Sequence, residues 1–311
     1  MAAVVPNLFV VGVPKGGTTS LAKWLADHPA IQGGAMKELR YLMDPEDPLA
    51  DPEGYHRNGL GGYGKHFPQM KPGATWALDA SPQYYYQDTA LQAIADMAEA
   101  HVVFVLRDPA ERIYSLYRYA LNNMAVLPPE MSFREFVDHA RAPDASDVMR
   151  DRPMLRNAIP HGEYARYISM WFERVGRERV SVLLMEELSK RPQAVLRDLA
   201  GTLGIDTGFF ETYGFPRENE SFKVRNRVLH KTSRKLRKFI PSSLRKALAP
   251  VYGSLNTERL SSGRSEEDLA CLAQLKADFR DHNADLGRLM AWPQTPWPVE
   301  ARAPTPVPAA G

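Results

Sequence analysis

Apolar positions along the chain fall into two patterns that alternate. Continuous apolar, mostly β-branched runs occupy residues 8–13, 101–109 and 179–188. Such runs are typical of parallel strands buried on both faces. Apolar residues at helical spacing follow or separate them, in segments 18–28, 111–124, 132–140, 162–175 and 190–204. The alternation predicts an α/β fold, with one parallel sheet and helices on both of its faces.

The pattern predicts a single domain over residues 1–293. Residues 44–75 are rich in Gly and Pro and are expected to form an irregular insertion over one end of the sheet. Residues 221–257 contain ten Lys or Arg and no Asp or Glu, which predicts a basic helical segment at about 223–250. The Pro- and Ala-rich tail, 294–311, is predicted to be disordered.

Composition narrows the class of protein. The 311 residues are 44% hydrophobic, and the net charge is only +2, so no overall field favours a nucleic-acid partner. The single cysteine, Cys271, cannot form an intrachain disulfide, which suits a reducing compartment. The apolar N-terminus has no basic region before it, and no stretch approaches the roughly 20 apolar residues of a membrane span. We expect a cytoplasmic protein without a transmembrane segment.

The first predicted strand leads into a turn that contains glycine, lysine and hydroxyl side chains. Gly12, four residues and Gly17 match the glycine frame of a triphosphatase loop, G-x-x-x-x-G-K-[ST], but Thr18 stands where that loop has lysine. The lysine here is Lys15, inside the loop. Backbone N–H groups at such a turn bind an anion together with the helix dipole. The next turn adds hydroxyl donors on Thr18, Thr19 and Ser20.

The position of Lys15 separates two chemistries. A kinase lysine spans the β- and γ-phosphates, with Mg²⁺ on the next Ser or Thr. A lysine earlier in the loop projects over its mouth instead, where it can neutralise charge on a leaving-group oxygen. A plain strand–turn–helix with glycines for tight geometry is the alternative without function.

The segment PKGGTTSL, residues 14–21, resembles the 5′-phosphosulfate loop of sulfotransferases that use 3′-phosphoadenosine 5′-phosphosulfate (PAPS). The motif pattern is closest to bacterial and glycan-type (heparan sulfate) members. The resemblance implies a P-loop-like fold and a loop that holds the 5′-phosphate, with Lys15 near the oxygen that bridges to the sulfuryl group. It also implies that no metal is required. The implied cofactor contacts are Lys15, Gly16, Gly17, Thr18, Thr19 and Ser20.

A second motif lies at 102–121, VVFVLRDPAERIYSLYRYAL. Arg107 lies just past a predicted strand, where ligands sit in open α/β sheets, and Ser115 lies about two turns into the next helix. Together they can hold a second phosphate. The spacing R-D-P-x-E-R-x-x-S is similar to the family's 3′-phosphate motif, which implies that Arg107 and Ser115 contact the 3′-phosphate of PAPS. The alternative pairs Arg107 with Asp108 or Glu111.

The candidate general base is Glu38. With Arg40 and Tyr41, it resembles the K-E-x-x-[FY]-[FL] segment of glycan-type sulfotransferases, which implies that Glu38 accepts the proton of the acceptor. A carboxylate in a partly enclosed cleft is expected to have its pKa raised toward working pH. The alternative is a surface glutamate paired with Lys37 or Arg40.

Residues 77–86, ALDASPQYYY, are similar to the family's E-K-[ST]-P-x-Y segment, with Ala80 where glycan enzymes often have lysine. Loss of that lysine argues against a glycosaminoglycan acceptor. Asp79, Ser81 and Tyr84, together with Glu38 and Arg40, are predicted to contact the acceptor. The tyrosines at 84–86 are alternatively core residues.

The later basic segment corresponds in position to a loop that covers the cofactor, which implies that Lys223 or Arg225 reaches the 3′-phosphate. The alternatives for segment 223–246 are a solvated helix face, a surface that attracts an acidic acceptor, and a peripheral membrane contact.

The sequence predicts a PAPS-dependent sulfotransferase that acts on a hydroxyl or amine of a small-molecule, glycolipid or carbohydrate acceptor. The alternatives are a metal-dependent P-loop kinase and a non-catalytic nucleotide-binding module.

Overall fold

The structure is a computed structural model, and it describes residues 4–67, 70–216, 222–224, 257–259 and 263–298. A parallel sheet of five strands forms its centre, in the order β2-β3-β1-β4-β5. The strands are β1 Leu8–Gly12, β2 Ile31–Gly33, β3 Trp76–Asp79, β4 His101–Leu106 and β5 Val180–Leu184. The predicted α/β fold is confirmed.

Helices connect the strands and follow the last one. The helices before β5 are α1 Thr18–Asp27, α2 Tyr55–Asn58, α3 Asp88–Ala95, α4 Pro109–Arg118, α5 Phe133–Arg141, α6 Pro153–Arg156 and α7 Tyr164–Val175. The later ones are α8 Met185–Lys190, α9 Pro192–Thr202, α10 Phe209–Thr212, α11 Glu266–Asp278 and α12 Arg280–Met290. Short 3₁₀ turns lie at Leu60–His66, Tyr84–Tyr86, Pro143–Ala145, Pro160–Gly162 and Arg177–Arg179.

Alternate residues of the central strands enter two different cores. Leu8 and Val10 of β1 face the core that contains α1 and α9, whereas Phe9 and Val11 face the core that contains α3 and α7. Because successive side chains of a strand point to opposite faces, both faces of β1 must be covered by helices. This confirms the prediction of helices on both sides of the sheet.

A third apolar core lies beyond the sheet, between α4, α5 and α11. It contains Phe133 and Phe136 of α5 and Leu272 of α11. Asp108 begins α4 by accepting hydrogen bonds from the N–H groups of Ala110 and Glu111, at 2.9 and 3.2 Å. This packing fixes α4, and therefore the side chains that follow β4.

Strands β1 and β4 are neighbours, with Leu8 opposite His101 and Val10 opposite Val103. The chain passes from β1 to β2 on one side of the sheet and reaches β4 on the other. A crevice therefore opens beyond the carboxyl ends of β1 and β4, which is where open α/β sheets bind ligands.

Two predictions of chain organisation are corrected. The residues at 294–298 are not a disordered tail, because Pro296 is buried and the Trp297 ring lies 6.1 Å from that of Tyr164. Lys223 lies in strand β6, Phe222–Val224, not in a helix. Strand β6 pairs antiparallel with β7, Thr257–Arg259. The rest of the predicted basic segment and residues 299–311 lie outside the described residues.

The predicted insertion at 44–75 contains helix α2 and the 3₁₀ turn Leu60–His66. Its Tyr63 is fully buried, with the ring centre 4.2 Å from that of Tyr41. Within the described ranges, no helix has the length and apolar character needed to cross a membrane.

Candidate active site

The turn between β1 and α1 is held close to β4 by glycine. A Cβ at Gly16 would lie 2.4 Å from the carbonyl oxygen of Val105, so only glycine allows this approach. Gly17 precedes α1 with φ 92°, and Lys15 has φ 71°, both in the left-handed region. The loop is therefore drawn tightly over the sheet edge, which directs its backbone toward the crevice.

The N-terminus of α1 suits an anion. Gly17 has no side chain with which to cap the helix, and the first turn, all of it described, contains no acidic residue. Its N–H groups and the hydroxyls of Thr18, Thr19 and Ser20 lie at the positive end of the helix dipole. The predicted loop is thus present as a strand, a glycine turn and a helix in that order.

Lys15 lies among positive charges and above an aromatic ring. Its Nζ atom is 4.1 Å from the ring centre of Tyr119, in a π-helical turn that spans Tyr119–Asn123. Burial, followed by the charges of Arg107 and Lys37, lowers the pKa of the Lys15 ammonium to about 8, while Glu38 acts in the opposite direction. A bound anion would relieve this repulsion.

Arg107 lies at the end of β4 and reaches the loop. Its Nη1 atom donates to the Lys15 carbonyl at 3.4 Å, and its own carbonyl accepts the Tyr164 hydroxyl at 2.8 Å. Burial lowers the pKa of Arg107, whereas the nearby carboxylates of Glu111 and Glu186 raise it. The structure thus brings Arg107 beside Lys15, as expected from adjacent strands.

Of the two carboxylates that the alternative interpretation pairs with Arg107, Glu111 lies near it. The Nη2 atom of Arg107 lies 3.7 Å from Glu111, which is held more closely by Arg264 at 2.9 and 2.6 Å. Arg107 is therefore only a distant partner of a carboxylate that another arginine already binds. Ser115 lies on α4, half-buried, one helical turn beyond Glu111.

Glu38 is held by two cations. The ammonium of Lys37 donates to Oε1 at 2.8 Å, and Nη2 of Arg40 donates to Oε2 at 2.6 Å. Burial raises the pKa of Glu38, but these two partners outweigh it and leave the pKa below its ordinary value. The expected raised pKa is therefore wrong, because the enclosing groups are positively charged. The alternative pairing with Lys37 and Arg40 is present.

Asp79, Ser81 and Tyr84 form a buried network below this segment. All three are fully buried, and Asp79 accepts hydrogen bonds from Ser81 at 2.7 Å and from Tyr84 at 2.9 Å. The hydroxyl of Tyr63, from the insertion, also donates to Asp79, at 3.1 Å. Burial raises the pKa of Asp79 to about 6, although these hydroxyls act against the shift.

The same network holds the backbone that follows Glu38. The Arg40 N–H donates to Ser81 Oγ at 3.0 Å, and the Tyr41 N–H donates to the Tyr84 hydroxyl at 2.7 Å. The prediction that Asp79, Ser81 and Tyr84 contact an acceptor is corrected here, since they are enclosed and bind this backbone. Tyr84 and Tyr85 are core residues, as their alternative interpretation held.

Of the two residues predicted to cover the cofactor, Lys223 and Arg225, the structure describes only Lys223. The backbone of Lys223 belongs to β6, which lies against the Tyr119–Asn123 turn, and Arg225 lies outside the described residues. Their contact with a cofactor stays a prediction. Sequence reasoning missed Tyr119 and Arg264, which are brought to the site by packing. Tyr119 lies within the recognised segment 102–121, but no pattern there distinguished it from the neighbouring tyrosines.

Comparisons with known proteins place this chain in a family. The family model described as "Sulfotransferase domain" matches residues 5–238. A bifunctional heparan sulfate N-deacetylase/N-sulfotransferase 1 from Caenorhabditis elegans is 23% identical over 264 residues, 81% of this chain and 29% of that protein. The mouse heparan sulfate glucosamine 3-O-sulfotransferase 3B1 is 26% identical over 68% of this chain and 51% of its own length. The chain thus spans no more than about half of these relatives.

A solved structure shares the fold. The sulfotransferase from Alicyclobacillus acidocaldarius superposes with a TM-score of 0.65 at 23% identity, and the match covers 94% of this chain and 99% of that one. Agreement over nearly the whole length of both chains supports the α/β fold described above.

Proposed function

The chain belongs to the sulfotransferase family, and from that premise we propose that it transfers a sulfuryl group from PAPS to a hydroxyl or amine. The observation that supports this best is the meeting of Lys15 and Arg107 at the carboxyl ends of β1 and β4. Two cations beside an uncapped helix N-terminus suit a ligand with two separate anionic groups.

The loop residues provide the first anion site. Backbone N–H groups at the start of α1, with Thr18, Thr19 and Ser20, bind the 5′-phosphate. When bound, PAPS supplies a sulfuryl group joined to that phosphate through one bridging oxygen. Lys15 holds a positive charge at the loop mouth and stabilises the negative charge that develops on this oxygen as its bond to sulfur breaks.

Arg107 and Ser115 provide the second anion site. Glu111 does not hold Arg107 closely, since their contact is 3.7 Å and Arg264 already pairs with that carboxylate at 2.6 Å. A guanidinium in this position binds a phosphate by paired, charge-assisted hydrogen bonds. A 3′-phosphate at this site distinguishes PAPS from ATP, and the assignment needs no metal to hold the ligand.

Glu38 is the proposed general base. It accepts the proton of the acceptor as the nucleophile forms its bond to sulfur, while the electron pair of the broken bond passes to the bridging oxygen. Its lowered pKa keeps the carboxylate ionised and therefore able to accept a proton, although the same two cations weaken it as a base. Lys37 and Arg40 hold it in place, and Asp79, Ser81 and Tyr84 hold the backbone of that segment.

The acceptor class is broad. The named relatives act on heparan sulfate or its glucosamine, and a carbohydrate acceptor is one possibility for this chain. Ala80, in place of the lysine common in glycan enzymes, favours a small molecule or glycolipid. A cytoplasmic location and peripheral membrane contact of the 223–246 segment stay predictions.

Calorimetric titration with 3′-phosphoadenosine 5′-phosphate (PAP), beside ADP with and without Mg²⁺, tests this proposal. We expect tight binding of PAP without metal, and weakening by Arg107→Ala but not by Arg118→Ala, the arginine that ends the following helix, α4. Preference for ADP with Mg²⁺ would contradict the proposal and favour a P-loop kinase.

Two variants test the catalytic roles. Glu38→Gln should retain PAP affinity but lower turnover by about 10²–10⁴-fold, as expected for loss of a general base. Lys15→Ala should lower turnover by about 10²–10³-fold. Normal turnover in Lys15→Ala would refute its role. If the wild type binds PAP but transfers to no acceptor, the non-catalytic nucleotide-binding module is favoured.

A further inference from the structure

A small cavity lies beside the proposed transfer centre. It encloses about 210 Å³ between α1, the residues that follow β2 and the end of β3. Its lining is mainly apolar or without a side chain, and includes Ala22, Ala26, Gly33, Gly34, Leu78 and Ala80. We name this space the α1 cavity.

Small residues create the space. A Cβ at Gly33 would lie 3.1 Å from the Cβ of Ala26, and one at Gly34 would lie 3.2 Å from a methyl group of Leu39. Larger residues at Gly33, Ala26 or Ala80 would therefore fill it. Apolar cavities of about 150 Å³ accept one benzene ring, so the α1 cavity is large enough for an aromatic ring or a short alkyl chain.

Two groups of the proposed active site also border the cavity. Thr19 lies in the first turn of α1, which belongs to the phosphate-binding loop, and Lys37 lines the cavity while its ammonium lies 2.8 Å from Glu38. Lys37 therefore connects the wall of the cavity with the candidate base. Met36, which is 60% exposed, adds apolar surface to the lining.

We propose that the α1 cavity binds the apolar part of a small aryl or alkyl alcohol, so that its hydroxyl is presented to Glu38. This inference rests on the proposed function and narrows its acceptor class. The walls favour an uncharged occupant, because Lys37 is paired with Glu38 and Lys23 with Asp27, the latter at 3.3 Å. A sugar, with polar groups on every side, would leave hydroxyls without partners against Ala22, Ala26 and Leu78.

The test measures binding of 2-naphthol to the complex of the protein with PAP, by calorimetry. Ala26→Leu fills the cavity from α1, and Ala80→Val fills it from the end of β3. Ala273→Leu, on the exposed face of α11, is the matched control. We expect 2-naphthol to bind the wild type and the control equally, and at least about tenfold more weakly to both cavity variants, with PAP affinity retained in all four proteins.

The outcomes separate the inference from the proposed function. If PAP binds but 2-naphthol does not, or binds the cavity variants as well as the wild type, the cavity inference is overturned while the sulfotransferase proposal stands. If PAP does not bind, the proposed cofactor is wrong, and the same titration without PAP still reports whether the cavity takes an apolar ring. Tighter binding of glucosamine than of 2-naphthol would also overturn the inference.

Discussion

The ammonium of Lys15 lies 4.1 Å from the centre of the Tyr119 ring, so the candidate catalytic lysine rests on an aromatic face. Lys15 follows β1, whereas Tyr119 begins the π-helical turn after α4. Such turns are frequent at functional sites. The ring is 36% exposed, and it attracts the ammonium through its negative face. Tyr119 therefore helps to fix the position of the Lys15 ammonium.

Replacing this ring tests the positioning of Lys15. We expect Tyr119→Ala to lower turnover by about threefold to thirtyfold, since a cation–π contact contributes about 0.5–2 kcal/mol. Tyr119→Phe retains the aromatic face and should retain most of the activity. Steady-state kinetics on both variants measure these two changes in turnover. Equal losses in the two would assign the effect to the Tyr119 hydroxyl instead of the ring.

The lowered pKa of Lys15 predicts how PAP affinity depends on pH. With a pKa of about 8 in the free protein, Lys15 is charged below that value and loses its proton above it. PAP binding requires the charged form, so affinity should be constant below about pH 8 and fall up to about tenfold per pH unit above it.

Calorimetry between about pH 7 and about pH 9.5 measures this dependence. Lys15→Arg keeps its charge throughout that range and should abolish the decline. The same decline in Lys15→Arg would show that another group titrates.

Tyr84 is predicted to act on turnover through the backbone next to Glu38. Tyr84→Phe removes the hydroxyl that accepts from the N–H groups of Tyr41 and Leu42, at 2.7 and 3.1 Å. We expect lower stability, by about 1–3 kcal/mol, and about tenfold slower turnover with nearly unchanged PAP affinity.

The neighbouring tyrosine provides the control. The Tyr85 hydroxyl donates to the His161 carbonyl at 3.0 Å, and it is as deeply buried as that of Tyr84. Tyr85→Phe should therefore lower the free energy of unfolding without slowing turnover. Equal effects on turnover would mean that Tyr84 contributes general stability only.

Asp79 should make stability depend on pH. Its pKa is raised to about 6 by burial, so the folded protein takes up a proton near pH 6 while the unfolded chain does so only near pH 4. Acidification from about pH 7 to about pH 4.5 should then raise this group's contribution to the free energy of unfolding by about 2 kcal/mol.

Urea denaturation of the wild type and of Asp79→Asn at both pH values isolates this contribution, since the variant cannot titrate there. The difference between the two proteins should shift in favour of the wild type at the lower pH. A shift in the opposite direction would mean that the three hydroxyls hold Asp79 ionised.

Local sequence was sufficient for the strands and the loop of the cofactor site. The apolar runs at 8–13 and 101–109 predicted β1 and β4, because a strand buried on both faces requires continuous apolar residues. Strands β2 and β3 were missed, since three or four residues are too short to show a period. The glycines of the loop and the lysine among them were recognisable because their chemistry is local.

Only the tertiary structure decided which groups surround Glu38, Asp79 and Tyr84, the residues that were predicted to contact the acceptor. Whether Asp79 and Tyr84 are exposed or enclosed depends on Tyr63 and on the backbone at 40–42, which packing brings from distant parts of the chain. The pKa of Glu38 likewise depends on where the cations of Lys37 and Arg40 point. Sequence thus determined strands β1 and β4 and the loops that follow them, because strand and turn preferences are local. Burial and charge contact are long-range properties, and they appeared only once the chain was folded.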